Sequence, residues 1–86
     1  MAGVEEIRAG IALANEKASA SIAALQQAAQ SLEEAQQSLA QATQGSSQQE
    51  VNQAHGLLAE ALNGISGMQS TIEAGISSAD SYSARL

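Results

Sequence analysis

The groups in this chain that could carry chemistry are few: one histidine, His55, nine carboxylates and many serines. A metal centre needs several imidazole, thiolate or carboxylate ligands converging on one point. This chain has no Cys and a single His, and the Glu-x-x-His spacing of di-metal helical bundles is absent. Glu60 falls too far round a helix from His55 to orient its ring as a base. Glu33 with Glu34, and Glu5 with Glu6, are adjacent. On a helix such pairs project roughly 100° apart and cannot share a proton. A nucleophilic serine needs a base and an orienting carboxylate, and one isolated His singles out none of the many serines. The seven glycines are scattered, most of them over the second half, rather than gathered into a phosphate-cradling loop. The expectation is therefore a non-enzyme with no catalytic, metal or cofactor-binding residues, in which His55 is a partly buried polar residue near the middle of the chain.

Composition narrows the partners. The net charge is −6, and Arg8, Lys17 and Arg85 are the only basic residues. Such a surface repels phosphate, which argues against nucleic acid and against anionic membrane. No apolar run approaches the ~18 residues of a membrane span. The opening MAGVEEIRAG is acidic where a signal peptide is basic. The expected setting is the cytoplasm, or secretion without a cleaved signal peptide. Tyr82 is the sole aromatic residue of 86, so a compact core is hard to build. Ala and Gln abound and Pro is absent, which favours helix.

Apolar periodicity supplies the elements. Val4, Ile11, Ala18, Leu25, Leu32 and Leu39 recur every seven residues, and a second, mostly small stripe follows three later: Ile7, Ala14, Ser21, Ala28, Ala35 and Ala42. Steps of three and four mark a left-handed coiled coil. A further stripe, Val51, Leu58, Ile65, Ile72, Ala79 and Leu86, fills the second half. Between them lies "ATQGSSQQE", where Gly45 can end a helix and Ser47 with Glu50 matches a capping box. The pattern predicts an all-α, antiparallel two-helix hairpin: helix one about 3–43, turn 44–47, helix two about 48–84, assembling into a four-helix bundle or larger oligomer. Folding about the turn pairs Leu39 with Val51, Leu32 with Leu58, Leu25 with Ile65, Ala18 with Ile72 and Ile11 with Ala79. Arms of this size make a rod about 55–60 Å long. In that register Ser21 faces Gln69 as one polar layer, unless both turn outward, and Tyr82 covers Ile7. "LNGISGMQ" carries the Asn63-Gly64 turn signal and Gly67. A break there would give three helices, but the stripe keeps its phase through Ile65, which favours continuity.

Helix two has more apolar surface than one seam uses. Ala54, Ala61, Met68, Gly75 and Tyr82 lie beside its main stripe, and Leu57, Leu62 and Ile76 on the other flank. Helix one adds Leu13 and Ile22 off its seam. Contiguous apolar strips mark interfaces, so Leu57, Leu62, Met68, Ile76 and Ile22 are the expected interface residues. The expected partner is a second copy, another helical protein, or both.

The length, the acidity, the lack of Cys, the central turn "TQGSSQQE" and the two long arms resemble the small helical hairpins of the WXG-type family, exported by type VII secretion systems. The turn carries no Trp-x-Gly, and the residue four after Tyr82 is Leu86 rather than the acidic residue of that family's export signal. The stretch "SLEEAQQSLAQATQGSSQQEVNQAHGLLAEAL" also resembles Ala/Gln-rich actinobacterial proteins and the N-terminal regions of polymorphic toxins. The resemblance implies an accessory or targeting role for a secreted toxin. A self-assembling structural coiled coil is the alternative.

Overall fold

The computed structural model describes residues 3–86, which form two helices, α1 (Val4–Ala42) and α2 (Gln49–Ala84), folded back on each other. The molecule is an all-α hairpin 64 Å long and 17 × 15 Å across. Helix length accounts for that dimension: at ~1.5 Å per residue, the 39 residues of α1 span about 58 Å. α2 passes unbroken through Asn63, Gly64 and Gly67. The Asn-Gly turn signal loses because only a continuous helix keeps Leu58, Ile65 and Ile72 on one buried face.

The reversal is built by Thr43 and Gly45. The Thr43 backbone N–H and hydroxyl both donate to the Leu39 carbonyl, at 3.0 and 2.6 Å. The Ser46 N–H donates to the Thr43 carbonyl at 2.9 Å, closing a four-residue turn with Gly45 third, at φ +84°. Positive φ at that position suits glycine, which has no Cβ to clash. The expected Ser47–Glu50 capping box does not form. The N-cap is Gln48, without a side-chain cap bond, so Glu50 falls one position too early in the helix to reach back. Ser46 instead accepts the Gln48 N–H on its hydroxyl at 3.3 Å.

The half-buried positions show which faces meet. In α1 they include Ile11, Ala18, Leu25, Leu32 and Leu39, the expected first stripe. The second stripe is displaced from its expected place. It falls four residues after the first rather than three: Asn15, Ile22, Ala29, Gln36 and Thr43 are half-buried, while Ala14, Ser21, Ala28, Ala35 and Ala42 are exposed. Only at the start of α1 does the expected second stripe hold, with Ile7 half-buried and Val4 of the first stripe exposed. Side-chain size decides this. A seven-residue repeat fits either choice. The observed one brings Asn15, Gln36 and Thr43 into the seam in place of Ala14, Ala35 and Ala42. But it buries Ile22 in place of Ser21 and, on α2, Leu62 and Ile76 in place of Ala61 and Gly75, and burial favours these larger apolar side chains. Ile65 is the only buried side chain among the described residues, at 7% exposed.

The Asn15–Asp80 contact reports the register. The Asn15 Nδ2 donates to Asp80 Oδ1 across the two helices at 2.7 Å. Stepping by heptads from Ala79, the neighbour of Asp80, sets Ile22 level with Ile72, Ala29 with Ile65, Gln36 with Leu58 and Thr43 with Val51. All of these positions are at least half-buried. The expected pairing of Leu39 with Val51 and Ile11 with Ala79 is therefore off by about one helical turn. It matched first stripe to first stripe. In the antiparallel hairpin each layer instead joins a first-stripe residue of one helix to a second-stripe residue of the other. The expected Ser21–Gln69 layer fails with it: Ser21 is exposed and its hydroxyl donates to the Lys17 carbonyl at 3.2 Å. Gln36 and Gln69 are the polar residues near the middle of the seam, and both are half-buried.

Candidate interaction face

Once the seam is placed, helical periodicity assigns the two flanks of the rod. One flank carries Ala14, Ser21, Ala28 and Ala35 of α1 beside Ala54, Ala61, Met68, Gly75 and Tyr82 of α2. The row outside it on α2 adds Leu57, Gly64 and Thr71. The opposite flank carries Ser19, Gln26 and Glu33 of α1 beside Ser66, Glu73 and Asp80 of α2. The Asn15–Asp80 bond lies on that second side.

Charge divides along the same line. Glu50, at the turn end, is the single acidic residue on the first flank. Glu5, Glu6, Glu16, Glu33, Glu34, Glu60, Glu73 and Asp80 all sit on the opposite flank or on the outer backs of the helices, and all are exposed. The first flank is thus neutral and the second acidic.

Large apolar side chains stay open to solvent on the neutral flank: Leu57 is 58% exposed, Met68 49% and Tyr82 45%. Tyr82, expected to cover Ile7, stands with the Arg85 guanidinium 5.9 Å from its ring centroid, within cation–π range. Of the five expected interface residues, Leu57 and Met68 are exposed as required. Ile22, Leu62 and Ile76 are not off the seam: all three are half-buried within it. Their off-seam placement followed from assigning the second stripe three residues after the first. On the neutral flank, Tyr82 is the large exposed side chain that the expected set left out; Leu13, on the outer back of α1, and Val4, at its start, are exposed as well. The seven-residue spacing of Tyr82 from Gly75 and Met68 was the signal for including it.

His55 is half-buried in the seam near the turn. Among the described residues, no three His, Asp or Glu side chains are placed to hold one metal ion. An open groove of about 500 Å³ on the acidic flank is lined by Glu73, Ile76, Ser77, Asp80, Ser81 and Ala84. Of these, only Ile76 and Ala84 are apolar. Among the described residues, no helix is long and apolar enough to cross a membrane. Comparison with known proteins gives no matching family model, no matching curated protein and no matching solved structure.

Proposed function

We propose that this chain is a non-catalytic helical interaction protein whose neutral flank packs against another helical surface. The observation that carries this reading is the exposure of Leu57, Met68 and Tyr82 on one flank of a hairpin with a single buried side chain among its described residues. A two-helix seam of this kind is too thin a core for a stable fold alone: chains near this size rarely draw more than ~3–5 kcal/mol from one core. Covering the neutral flank supplies the missing burial. The acidic flank keeps the rod dispersed in water.

The same chemistry fits an accessory or targeting partner of a secreted toxin in a type VII-like system. Support comes from the hairpin shape, the acidity, the lack of Cys and the central turn "TQGSSQQE". A self-assembling coiled-coil protein is the second reading. It is favoured by a flank nearly free of acidic residues, on which two copies of a −6 chain can meet without facing like charges.

Thermal unfolding followed by circular dichroism across a hundredfold concentration range tests the shared core of both readings. Association stabilises by mass action, so the midpoint should rise with concentration, of the chain itself or of an added helical partner. A sharp transition of a folded monomer, unmoved by concentration and above 60 °C, would show that the hairpin needs nothing else and would refute the interaction reading.

A further inference from the structure

The neutral flank of α2 is self-complementary. Its apolar row reads Ala54, Ala61, Met68, Gly75, Tyr82, in equal steps of seven residues. Met68 is the central member and sits near the middle of α2. Ala61 and Gly75 stand one heptad to either side of it, and Ala54 and Tyr82 two. Reversing this row about Met68 therefore sets large against small: Tyr82 falls on Ala54, and Gly75 on Ala61. Leu57, one turn from Ala54 on the same side, completes the pocket under Tyr82.

We propose that the occupant of this flank is a second copy of the chain, related by a two-fold axis that crosses the rods at Met68, so that the two turns lie at opposite ends. This rests on reading the chain as an interaction protein and names its partner. Area leaves room for a partner, and charge favours a second copy. A compact protein of this mass (8.7 kDa) exposes about 4,700 Å², whereas the hairpin exposes 6134 Å². The excess, about 1,400 Å², exceeds the ~800 Å² per partner of a standard interface. A two-fold contact puts each surface against itself, which a flank carrying Glu33, Glu73 and Asp80 would resist. The neutral flank carries Glu50 as its one carboxylate, with Lys17 and with Arg85 over Tyr82. The reversal sets the two Glu50 side chains far apart, toward opposite ends, and brings Arg85 of one chain toward Glu50 of the other. On α1 the matching row is Ala14, Ser21, Ala28 and Ala35, small enough to let the backbones approach.

The native chain has no cysteine, so an introduced thiol reports its own surroundings. Four single variants, in three samples, decide the matter under mild oxidation: Met68→Cys, Leu13→Cys on the outer back of α1, and a mixture of Ala54→Cys with Tyr82→Cys chains. Met68→Cys should link to its own copy at least tenfold faster than Leu13→Cys, because Met68 lies on the axis. The mixture should give chiefly the mixed dimer. The native chain should have twice the mass of the monomer by light scattering. Equal linking rates for Met68→Cys and Leu13→Cys, with the native chain still dimeric, would overturn this placement and leave the interaction reading standing on another face. A native chain that is monomeric at high concentration and of marginal helicity would overturn the second copy while leaving room for a different helical partner. A monomer that is fully helical and stable alone would overturn both.

Discussion

The two flanks of this hairpin share the same helices, the same seam and the same length, yet one carries carboxylates and the other almost none. Glu33, Glu73 and Asp80 line one side; Met68, Tyr82, Leu57 and a row of alanines line the other. Backbone and seam are common to both, so the contrast isolates what flank composition does. A carboxylate beside the seam keeps water there, because removing its hydration is costly without a partner. A methyl or thioether in the same position leaves water with nothing to hold, and the surface is stabilised by being covered. In this protein the seam specifies the hairpin, and the two flanks differ in how readily they would be covered.

The largest effect separates seam from flank. Leu62→Glu places a charge in the seam, one heptad before Gln69 and level with Leu32. It should cost more than about 3 kcal/mol, since a charge without a partner is forced against apolar side chains. Far-UV circular dichroism should show most of the helix signal lost. Met68→Glu puts the same side chain on the neutral flank. It should leave an individual hairpin's helices able to form but weaken association at least 100-fold, read by sedimentation equilibrium. Glu73→Gln on the acidic flank should leave the mass unchanged. If Leu62→Glu stayed helical and merely dissociated, the seam would have to pass elsewhere.

The contrast between flanks was only half legible in the sequence. The seven-residue steps of Leu25, Leu32 and Leu39, and of Leu58, Ile65 and Ile72, were enough to show two helices and a hairpin, because nothing else keeps those residues on one face. Gly45 in "TQGSSQQE" was enough to mark the reversal. The second stripe was not legible by period alone, since a heptad permits a companion three or four residues on. What separates them is the volume of Ile22 against Ser21, and of Leu62 and Ile76 against Ala61 and Gly75. Once that choice is wrong, Ile22, Leu62 and Ile76 look like spare surface and the register slips by a turn. The Asn15–Asp80 bond, which reports the register, joins two polar residues 65 positions apart, and no periodic signal links them.

A smaller effect tests whether the neutral flank is covered. Gly67 faces outward and Gly75 lies on the neutral flank, and a Cβ added at either meets nothing within 4 Å in the single chain. Within an isolated helix both Gly→Ala changes should stabilise by about 0.5–1 kcal/mol, through the reduced entropy of the unfolded chain. A second copy breaks that equality, because Gly75 then lies against Ala61 of the other chain while Gly67 stays in water. Gly67→Ala should raise the melting midpoint by several degrees at every concentration. Gly75→Ala should gain as much only when dilution has separated the chains, and less when they are joined. Equal gains at all concentrations would mean that the neutral flank is open to solvent.

The smallest effect concerns the acidic flank and the Asn15–Asp80 hydrogen bond, which joins the two helices there at 2.7 Å. Both residues sit at the surface, where water competes for the bond. Its net contribution belongs at the low end of the usual range, about 0.5 kcal/mol. Asn15→Ala should therefore lower the midpoint by only a few degrees. The loss should be the same at low and high concentration, because the bond lies within one chain and away from the surface that associates. Asp80→Asn keeps an oxygen to accept the bond and removes one of the negative charges of the flank, so it should lose less than Asn15→Ala. A loss that grew with concentration in either variant would place the acidic flank inside an assembly, and with it the assignment of the two sides would be reversed.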